Sequence, residues 1–237
     1  MQIIGYMHSP YHEKFGIPRQ PNLVEVESYI EIEGIYNDIS AFEGIEGFSH
    51  LWLLWQFHEN KNNAKSLNQM PKFRPQVRPP RLGGNQKMGV FATRSMYRPS
   101  PIGLSVVRFL RIEQIGKKIR LYVTGSDLLN GTPIIDIKPY IQYSDAVTDS
   151  INGYAQDEPI RKIVIWTESV KQQRQLLLQQ QCVAEKTFHE LEQVLALDPR
   201  PAYQQDPERI YGMCFAELNV RFKVNMDKVT IVELEIN

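Results

Sequence analysis

The fold is decided by the stretch Leu104-Ser105-Val106-Val107-Arg108-Phe109-Leu110-Arg111-Ile112, which is followed after six residues by Ile119-Arg120-Leu121-Tyr122-Val123-Thr124. Both runs are rich in β-branched and aromatic residues, and the second alternates apolar with polar positions, as half-buried strands do. Similar short runs precede them at Ile3–Met7, Tyr29–Glu33, Leu51–Phe57 and Val90–Thr93. Because no long helix separates these runs, the sequence predicts a mainly β fold, an antiparallel sheet or small barrel, and not a doubly wound one.

Length and composition indicate an ordinary globular protein. The chain has 237 residues, of which 42% are hydrophobic and 23% charged, values that exclude disordered and fibrous classes. No apolar run approaches the roughly 20 residues of a membrane helix, and the first residues do not resemble a signal peptide. Two cysteines, Cys182 and Cys214, are too few for a disulfide framework or a four-cysteine zinc site. We therefore expect a cytoplasmic protein with no membrane segment.

Charge is segregated along the chain although the net charge is zero. Residues 1–59 contain nine acidic side chains against two basic ones, Lys14 and Arg19. Residues 60–112 contain no acidic residue and eleven cations, namely Lys61, Lys65, Lys72, Arg74, Arg78, Arg81, Lys87, Arg94, Arg98, Arg108 and Arg111. Seven of the eleven are arginines, whose planar guanidinium suits phosphate and carboxylate groups. The block indicates a polyanionic partner, with a solvated loop of scattered cations as the alternative.

The character of the sequence changes after about residue 145. Arg161–Glu168 is typical of a strand, and Ser169–Leu197 is helical in composition, with Phe188, Leu191 and Leu195 spaced to form one buried face. Asp198-Pro199-Arg200-Pro201 ends the helix, and strands are expected near Met213–Val224 and Lys228–Glu235. We therefore divide the chain into a β core domain at 1–145 and a C-terminal α+β appendage at 146–237.

Two loops of the first half contain candidate site residues. In Gly16-Ile17-Pro18-Arg19-Gln20-Pro21, two prolines fix the backbone around an Arg-Gln pair, although a plain surface turn would also explain this hexapeptide. The apolar run Phe48–Glu59 ends in His58 and Glu59, at the point where strand gives way to loop. Binding residues are common at such points.

The basic block alternates arginines with proline and glycine, residues that fix the chain path or let the backbone approach a ligand. Its richest parts are Val77–Gly84, Gly89–Ser95 and Arg98–Ser105, and Asn62–Arg81 is expected to form a long excursion. The sequence contains no P-loop, no Gly-x-Gly-x-x-Gly, no Gly-x-Ser-x-Gly and no zinc-deaminase motif. No ligand cluster supports metal catalysis, so several enzyme classes are excluded.

A fourth segment, Gly125–Ile141, begins with a turn and continues as an extended chain. Asn130-Gly131 is a tight hairpin-type turn. The alternation that follows places Asp136, Lys138 and Tyr140 on one face, with Ile135 and Ile137 on the other. Three proton-handling side chains on one face indicate a site, and a surface Asp–Lys pair is the alternative.

Together these segments resemble the TsaA-like family of S-adenosylmethionine-dependent tRNA methyltransferases. The matching pieces are Pro18–Pro21, Phe48–Trp52, Val77–Gly84, Gly89–Ser95, Arg98–Leu104 and Asp127–Tyr140. The run Asp198-Pro199-Arg200-Pro201-Ala202-Tyr203 is similar to the C-terminal extension of bacterial members, so the resemblance spans nearly the whole chain. Ser100 is a departure, because members often have Asn there.

The resemblance implies a small β-barrel enzyme that works as a homodimer, with the cofactor pocket near the subunit interface. It implies that S-adenosylmethionine is the cofactor and that the substrate is N6-threonylcarbamoyladenosine beside the anticodon, in the anticodon stem-loop of tRNA. The expected cofactor pocket consists of Pro18, Arg19, Gln20, His58, Glu59, Arg94, Arg98, Leu128, Leu129, Asn130 and Gly131. Arg78 and Arg81 are expected to bind tRNA phosphates.

For catalysis we expect Asp136 to be the base that removes the N6 proton, Lys138 to stabilise charge on the carbamoyl oxygen and Tyr140 to orient the base. The alternative is an Asp136–Lys138 ion pair that only holds the hairpin. Two other functions stay open at this point: a non-catalytic RNA-binding barrel, and a metal-dependent phosphate-ester hydrolase using Asp127 and Asp136.

Overall fold

The computed structural model describes residues 1–59, 73–201, 204 and 206–237. Lys61, Lys65 and Lys72 of the basic block, most of the predicted excursion, and Ala202-Tyr203 lie outside the described residues. Strands dominate the first part of the chain, and the longer helices come late. The strands are β1 (Gly5–His8), β2 (Glu27–Ile32), β3 (His50–Gln56), β4 (Gln76–Val77), β5 (Met88–Gly89), β6 (Ile102–Ile115), β7 (Lys118–Thr124), β8 (Pro133–Pro139), β9 (Ile163–Trp166), β10 (Tyr211–Phe215), β11 (Leu218–Asn225) and β12 (Lys228–Ile236); the helices are α1 (Gln142–Asp145), α2 (Glu168–Gln179) and α3 (Glu185–Ala196).

Six antiparallel strands form a closed barrel in the order β1-β2-β7-β6-β3-β8, because β8 pairs with β1 as well as with β3. At this closure Gly5 lies opposite Ile134. Burial alternates along β2, β3 and β7, so that every second side chain points into the barrel. The inward side chains form one core, which includes Met7, Ile30, Leu51, Leu53, Val107, Leu121, Val123 and Ile134. The prediction of a mainly β, antiparallel fold is confirmed.

Two local predictions for the barrel half are wrong. Val90–Thr93 is not a strand: Val90–Ala92 forms a 3-10 turn, in which the Thr93 amide and hydroxyl both donate to the Val90 carbonyl, at 3.2 and 2.8 Å. Ile135 does not share the inner face with Ile137. The register of β8 against β3 shifts by one residue at this point, so that Ile134 and Ile137 contact the core in its place.

The second half is a four-stranded sheet in the order β10-β11-β12-β9, in which only the β12–β9 pair is parallel. The predicted helical stretch Ser169–Leu197 is two helices, because the chain breaks at Gln181, where φ is +55°. The predicted strand Met213–Val224 is a hairpin of two strands, β10 and β11, which turns at Ala216. The expected buried face of Phe188, Leu191 and Leu195 is confirmed, since all three are fully buried.

The core of the second half extends into the first half of the chain. Tyr11, Val24 and Val26 belong to the segment between β1 and β2, yet they are buried with Phe188, Phe215 and the other residues of the second core. Tyr11 also forms an isolated antiparallel bridge with Phe215. The segment from 9 to 26 is therefore packed between the barrel and the C-terminal sheet.

Three connections leave the barrel at the same end. Because neighbouring strands alternate in direction, the segments 9–26, 57–101 and 125–132 all emerge where β1, β3 and β7 end. We call this end the rim. The connections after β2, β6 and β8 lie at the opposite end. The topology therefore places the sequence-predicted cofactor residues, which all belong to these three connections, at one end of the barrel.

The rim end of β6 depends on a glycine. A Cβ on Gly103 would lie 2.2 Å from Cε2 of Trp55, whose indole is held by a 3.0 Å hydrogen bond from Nε1 to the Ser105 hydroxyl. We expect Gly103→Ala to lower the free energy of unfolding by about 1–3 kcal/mol, the usual cost of overpacking, as measured by urea denaturation. The matched control is Gly212→Ala in β10, where a Cβ would meet no atom within 4 Å. Equal stabilities of the two variants would contradict this account.

Candidate active site

The turn Leu128–Gly131 is fixed to the end of β1. The Ser9 amide donates to Asn130 Oδ1 at 3.2 Å, and the Ser9 hydroxyl donates to the Leu128 carbonyl at 2.8 Å. The Asn130 amide donates to the Tyr11 carbonyl at 2.8 Å, and Leu128 and Leu129 are buried. Gly131 is exposed, with φ at +78°, a conformation that favours glycine. The turn therefore has a rigid base and an accessible tip.

Gln20 and Arg94, which come from different connections, meet at the rim. Arg94 Nη1 donates to Gln20 Oε1 at 2.5 Å. Asn22, two residues further along, donates from Nδ2 to the Val106 carbonyl at 3.0 Å, and its amide donates to the Gly125 carbonyl at 2.8 Å. These bonds tie the first connection to β6 and to the end of β7. Gln20 and Arg94 thus lie close to the start of the 125–132 connection.

His58 and Glu59 follow β3 and reach the first connection through Lys14, whose ammonium donates to the Glu59 carbonyl at 2.5 Å. Partial burial lowers the pKa of His58, and the charge of Lys14 adds to this against the opposing charge of Glu59. The imidazole is therefore neutral at pH 7. A neutral ring and an exposed carboxylate stand side by side at this point of the rim.

Pro18 and Arg19 face the C-terminal half of the chain. Pro18 is buried, and Arg19 Nη2 donates to the Arg200 carbonyl at 3.1 Å. The two residues line a cavity of about 390 Å³ together with Arg78 and the loop that follows α3. Its cationic lining side chains are Lys14, Arg19 and Arg78.

The other arginines of the basic block differ in what they contact. Arg98 Nη1 donates to the Thr93 carbonyl at 2.5 Å and its guanidinium lies 5.8 Å from the Phe91 ring centre, so Arg98 braces its own loop. Arg81 donates to the Asp157 carbonyl. Arg111 pairs with Glu27 and Glu113 on the barrel wall. Only part of the basic block therefore faces the rim.

The residues of the predicted catalytic trio lie along the outer wall of the barrel, at distances from the rim that increase from Asp136 to Tyr140. Asp136 and Lys138 form an ion pair of 2.7 Å on the outer face of β8, and Asp136 Oδ1 accepts from the Ile137 amide at 2.9 Å. The Tyr140 ring lies 5.8 Å from that of Trp52, and its amide donates to the His50 carbonyl. Since β3 runs from His50 towards the rim, Tyr140 lies roughly 20 Å from it along the strand. The structure pairs Asp136 with Lys138 on the outer wall, with Asp136 nearest the rim because it lies opposite Leu54, and it places Tyr140 furthest from the rim.

The outer wall beside this trio is apolar. On β6, the neighbour of β3, Ile102 is 36% and Leu104 52% exposed, and Leu104 pairs with the half-buried Leu54, which in turn pairs with Asp136. Exposed apolar side chains that adjoin in this way often mark an interaction surface. We call Leu54, Ile102 and Leu104, with Trp52, the outer wall patch.

Sequence reasoning missed the role of one rim residue, Asp127, which it considered only for a hydrolase. Trp55 Nε1 donates to the Ser105 hydroxyl at 3.0 Å, and that hydroxyl donates to Asp127 Oδ1 at 2.6 Å. Burial raises the pKa of Asp127, although the Ser105 hydrogen bond and the charge of Arg94 act in the opposite direction. The position directly before Leu128 was a signal for the site, but the burial was not visible in the sequence.

The described residues contain neither a candidate metal site nor a candidate membrane-spanning helix. Within them, no group of three or more His, Cys, Asp or Glu side chains is arranged to hold a metal ion. The helices described here include none with the length and apolar character needed to cross a bilayer.

Fold and rim together define a class: a mainly β chain that gathers polar residues at one end of an antiparallel barrel, without a dinucleotide-binding motif. Residues 6–146 match the family model described as the tRNA-methyltransferase O N-terminal domain, and residues 159–237 match the TrmO C-terminal domain. The chain belongs to the TrmO family, and the TsaA-like resemblance is confirmed.

Relatives cover the chain almost completely. A tRNA (adenine(37)-N6)-methyltransferase of Escherichia coli K12 is 38% identical over 235 residues, which are 98% of this chain and 96% of the relative. A putative S-adenosylmethionine-dependent methyltransferase, RcsF, of Pseudomonas aeruginosa PAO1 is 45% identical over 92% of this chain and 90% of the relative. A crystal structure of TrmO from Pseudomonas aeruginosa superposes with a TM-score of 0.77 at 34% identity, covering 99% of this chain and 96% of that one.

The raised pKa of Asp127 predicts a pH-dependent stability difference. The folded state disfavours the charged carboxylate, so wild-type stability falls as the pH rises from the usual carboxyl pKa of about 4 through the raised value. Asp127→Asn removes the charge but keeps an oxygen for the Ser105 hydroxyl. In urea denaturation we expect this variant to be more stable than wild type at pH 7, with the difference shrinking towards pH 4.

The control variant should show the opposite difference in stability from wild type at pH 7. Hydrogen bonds from the Ile141 amide and from Trp52 lower the pKa of Asp145. Asp145→Asn should therefore be less stable than wild type at pH 7, and that deficit should shrink as the pH falls. An Asp127→Asn variant that is less stable than wild type at both pH values would show that its carboxylate is not destabilised by burial.

Proposed function

We propose that this protein transfers the methyl group of S-adenosylmethionine to N6 of adenine 37 in tRNA, where the adenine already bears a threonylcarbamoyl group. One observation supports this most directly: three family motifs that are far apart in sequence converge at the rim, where Gln20 meets Arg94 and the Leu128–Gly131 turn is held against β1. Two relatives support the reaction, because both are named tRNA (adenine(37)-N6)-methyltransferase and both align with most of this chain. The non-catalytic RNA-binding alternative has no such support.

The residues at the rim fit S-adenosylmethionine. Backbone groups near the exposed tip of the Leu128–Gly131 turn would bind the adenine edge, and Glu59 would bind the ribose hydroxyls or the ammonium. An arginine, Arg19 or Arg94, would bind the carboxylate. The neutral ring of His58 suits a neighbouring sulfonium, because it adds no repelling positive charge. Bound S-adenosylmethionine supplies an electrophilic methyl group, and the rim residues hold it facing the acceptor.

Cationic side chains of the basic block would bind the tRNA. Arg78 is exposed among prolines and lines the cavity beside Arg19. We assign Arg78 and Arg81 to phosphates of the anticodon stem-loop, whose unstacked bases are the readable part of RNA. We assign Arg94 and Arg98 to the cofactor side, with Arg98 acting through the loop that it braces. A tRNA substrate also accounts for a cytoplasmic location.

Besides binding, the side chains must remove the proton from N6 of the substrate adenine. The carbamoyl substituent withdraws electrons from N6, so its N–H is more acidic than that of plain adenosine and a carboxylate can remove the proton. Asp136 is the proposed base, Lys138 would stabilise charge on the carbamoyl oxygen, and Tyr140 would orient the base. Because these side chains face outward from the barrel wall, we propose that they act at the rim of a second subunit.

We therefore propose a homodimer in which the outer wall patch of each subunit packs near the rim of its partner. The exposed Ile102 and Leu104 favour burial in such an interface. The trio of one subunit would then complete the site of the other. We also propose that residues 1–145 form the methyl-transfer unit and 146–237 an appended unit, with the segment 9–26 packed against both.

Labelled S-adenosylmethionine tests the function directly. Purified protein should transfer the labelled methyl group to tRNA from a strain that lacks this protein, and nucleoside analysis should locate the label on N6 of adenine 37. A tRNA without the threonylcarbamoyl group is the matched control and should accept no label. Binding of tRNA without transfer would favour the RNA-binding alternative, and loss of activity with a chelator would favour a metal-dependent enzyme.

The variant Asp136→Asn tests whether Asp136 acts as the general base. Since general-base roles contribute about 10²–10⁴ in rate, we expect single-turnover methylation to fall at least about 100-fold while the variant still binds cofactor and tRNA. Asp149→Asn, at an exposed position after α1, should react like wild type. An Asp136→Asn rate within about threefold of wild type would show that the ion pair is only structural.

Mixed dimers test whether the trio acts across the interface. Asp136→Asn chains are combined with rim-variant chains, Arg19→Ala/Glu59→Ala. Half of the random dimers would be mixed, each with one intact site, so about a quarter of the wild-type rate should return. No recovery, despite demonstrated subunit exchange, would place both sets of residues in the site of one subunit.

A further inference from the structure

The loop after α3, residues 198–201, forms one wall of the 390 Å³ cavity. The opposite walls come from the first connection, with Pro18 and Arg19, and from the basic block, with Arg78 and Gly83. The C-terminal half therefore takes part in a cavity that also contains two of the proposed cofactor residues.

Asp198 and Arg200 make the loop rigid. The Arg200 guanidinium donates from Nε and Nη2 to the two oxygens of Asp198 at 2.8 and 2.9 Å, a bidentate pair. Lys162 lies 3.6 Å from the same carboxylate, and the Arg200 side chain is only 11% exposed. Burial alone would raise the pKa of Asp198, but the hydrogen bonds and charge of Arg200 outweigh it and the pKa is lowered.

The backbone supports the same conclusion. Asp198 has φ of +50°, a left-handed conformation that residues with a Cβ seldom adopt, and prolines restrict the chain at 199 and 201. The Asp198–Arg200 pair holds the peptide in this conformation. The direction of the Arg200 carbonyl is thus determined by the pair and not by a flexible loop.

That carbonyl accepts the 3.1 Å hydrogen bond from Arg19 Nη2. Arg19 is exposed, and a long exposed side chain would otherwise sample many rotamers and lose that freedom on binding a ligand. Among the residues that the structure describes, no acceptor is bonded to Nε or Nη1 of Arg19, so these groups can donate to an anionic ligand group.

We propose that Asp198 and Arg200 are positioning residues that hold Arg19 ready for the carboxylate of S-adenosylmethionine, so that the C-terminal half contributes to cofactor binding. The inference rests on the proposed function, since it assigns the anionic ligand group to that cofactor. Asp198 and Arg200 act through Arg19 and need not touch the ligand.

Calorimetry with S-adenosylmethionine on the full-length protein tests the inference. Asp198→Asn and Arg19→Ala should each weaken binding about tenfold, the scale of one charge-assisted hydrogen bond. The double variant should bind no more weakly than Arg19→Ala, because both changes remove the same interaction. At saturating cofactor, the single-turnover rate of Asp198→Asn should return to the wild-type value. Arg200→Lys, which keeps the charge but loses the planar fork, should lie between wild type and Asp198→Asn.

The matched control is Glu233→Gln, which breaks the 3.1 Å Arg221–Glu233 ion pair on the sheet of the same half and should leave binding unchanged. Wild-type affinity in Asp198→Asn, or additive losses in the double variant, would overturn the inference while leaving the proposed function intact. Wild-type affinity in Arg19→Ala would overturn both this inference and the assignment of Arg19 to the cofactor pocket.

Discussion

The pairing of β1 with β8 closes the barrel, and the location of the rim residues depends on it. In a closed ring of six antiparallel strands, alternate connections must leave by the same end, and so residues as distant in sequence as Ser9 and Asn130 become neighbours. Gly5 allows β1 to approach its other neighbour, β2, closely, because a Cβ there would lie 2.4 Å from the Glu31 carbonyl oxygen. Topology, more than any single side-chain contact, assembles the candidate site.

Much of the fold could be predicted from alternation, which is a local property of the chain. The alternating runs around Ile30 and Leu121 and the buried face around Phe188 are confirmed. Each of these patterns depends only on residues that are close together in sequence. The closure of the barrel is not local, and neither is the shifted register of β8, which puts Ile134 on the inner face where alternation alone predicts Ile135. A single unpaired residue is enough to reverse a face.

The site could be predicted as a set of segments but not as an arrangement. The motifs around Gln20, Arg94 and Asn130 lie at one rim, although they belong to three different connections. Arg98 contacts its own loop because its nearest acceptors are carbonyls there, and the perturbed carboxylate of Asp127 depends on burial and on Ser105, 22 residues away. Side-chain environment comes from packing, which residue type and spacing do not encode.

The segment between β1 and β2 belongs to two cores, since Tyr11, Val24 and Val26 are buried among the residues of the C-terminal sheet and helices. A stretch of chain anchored in this way cannot loosen on one side alone. The barrel and the C-terminal half should therefore share one cooperative unfolding transition, and local opening of α3 should reach the rim before the strands separate. An insertion in this segment would therefore disturb both halves together.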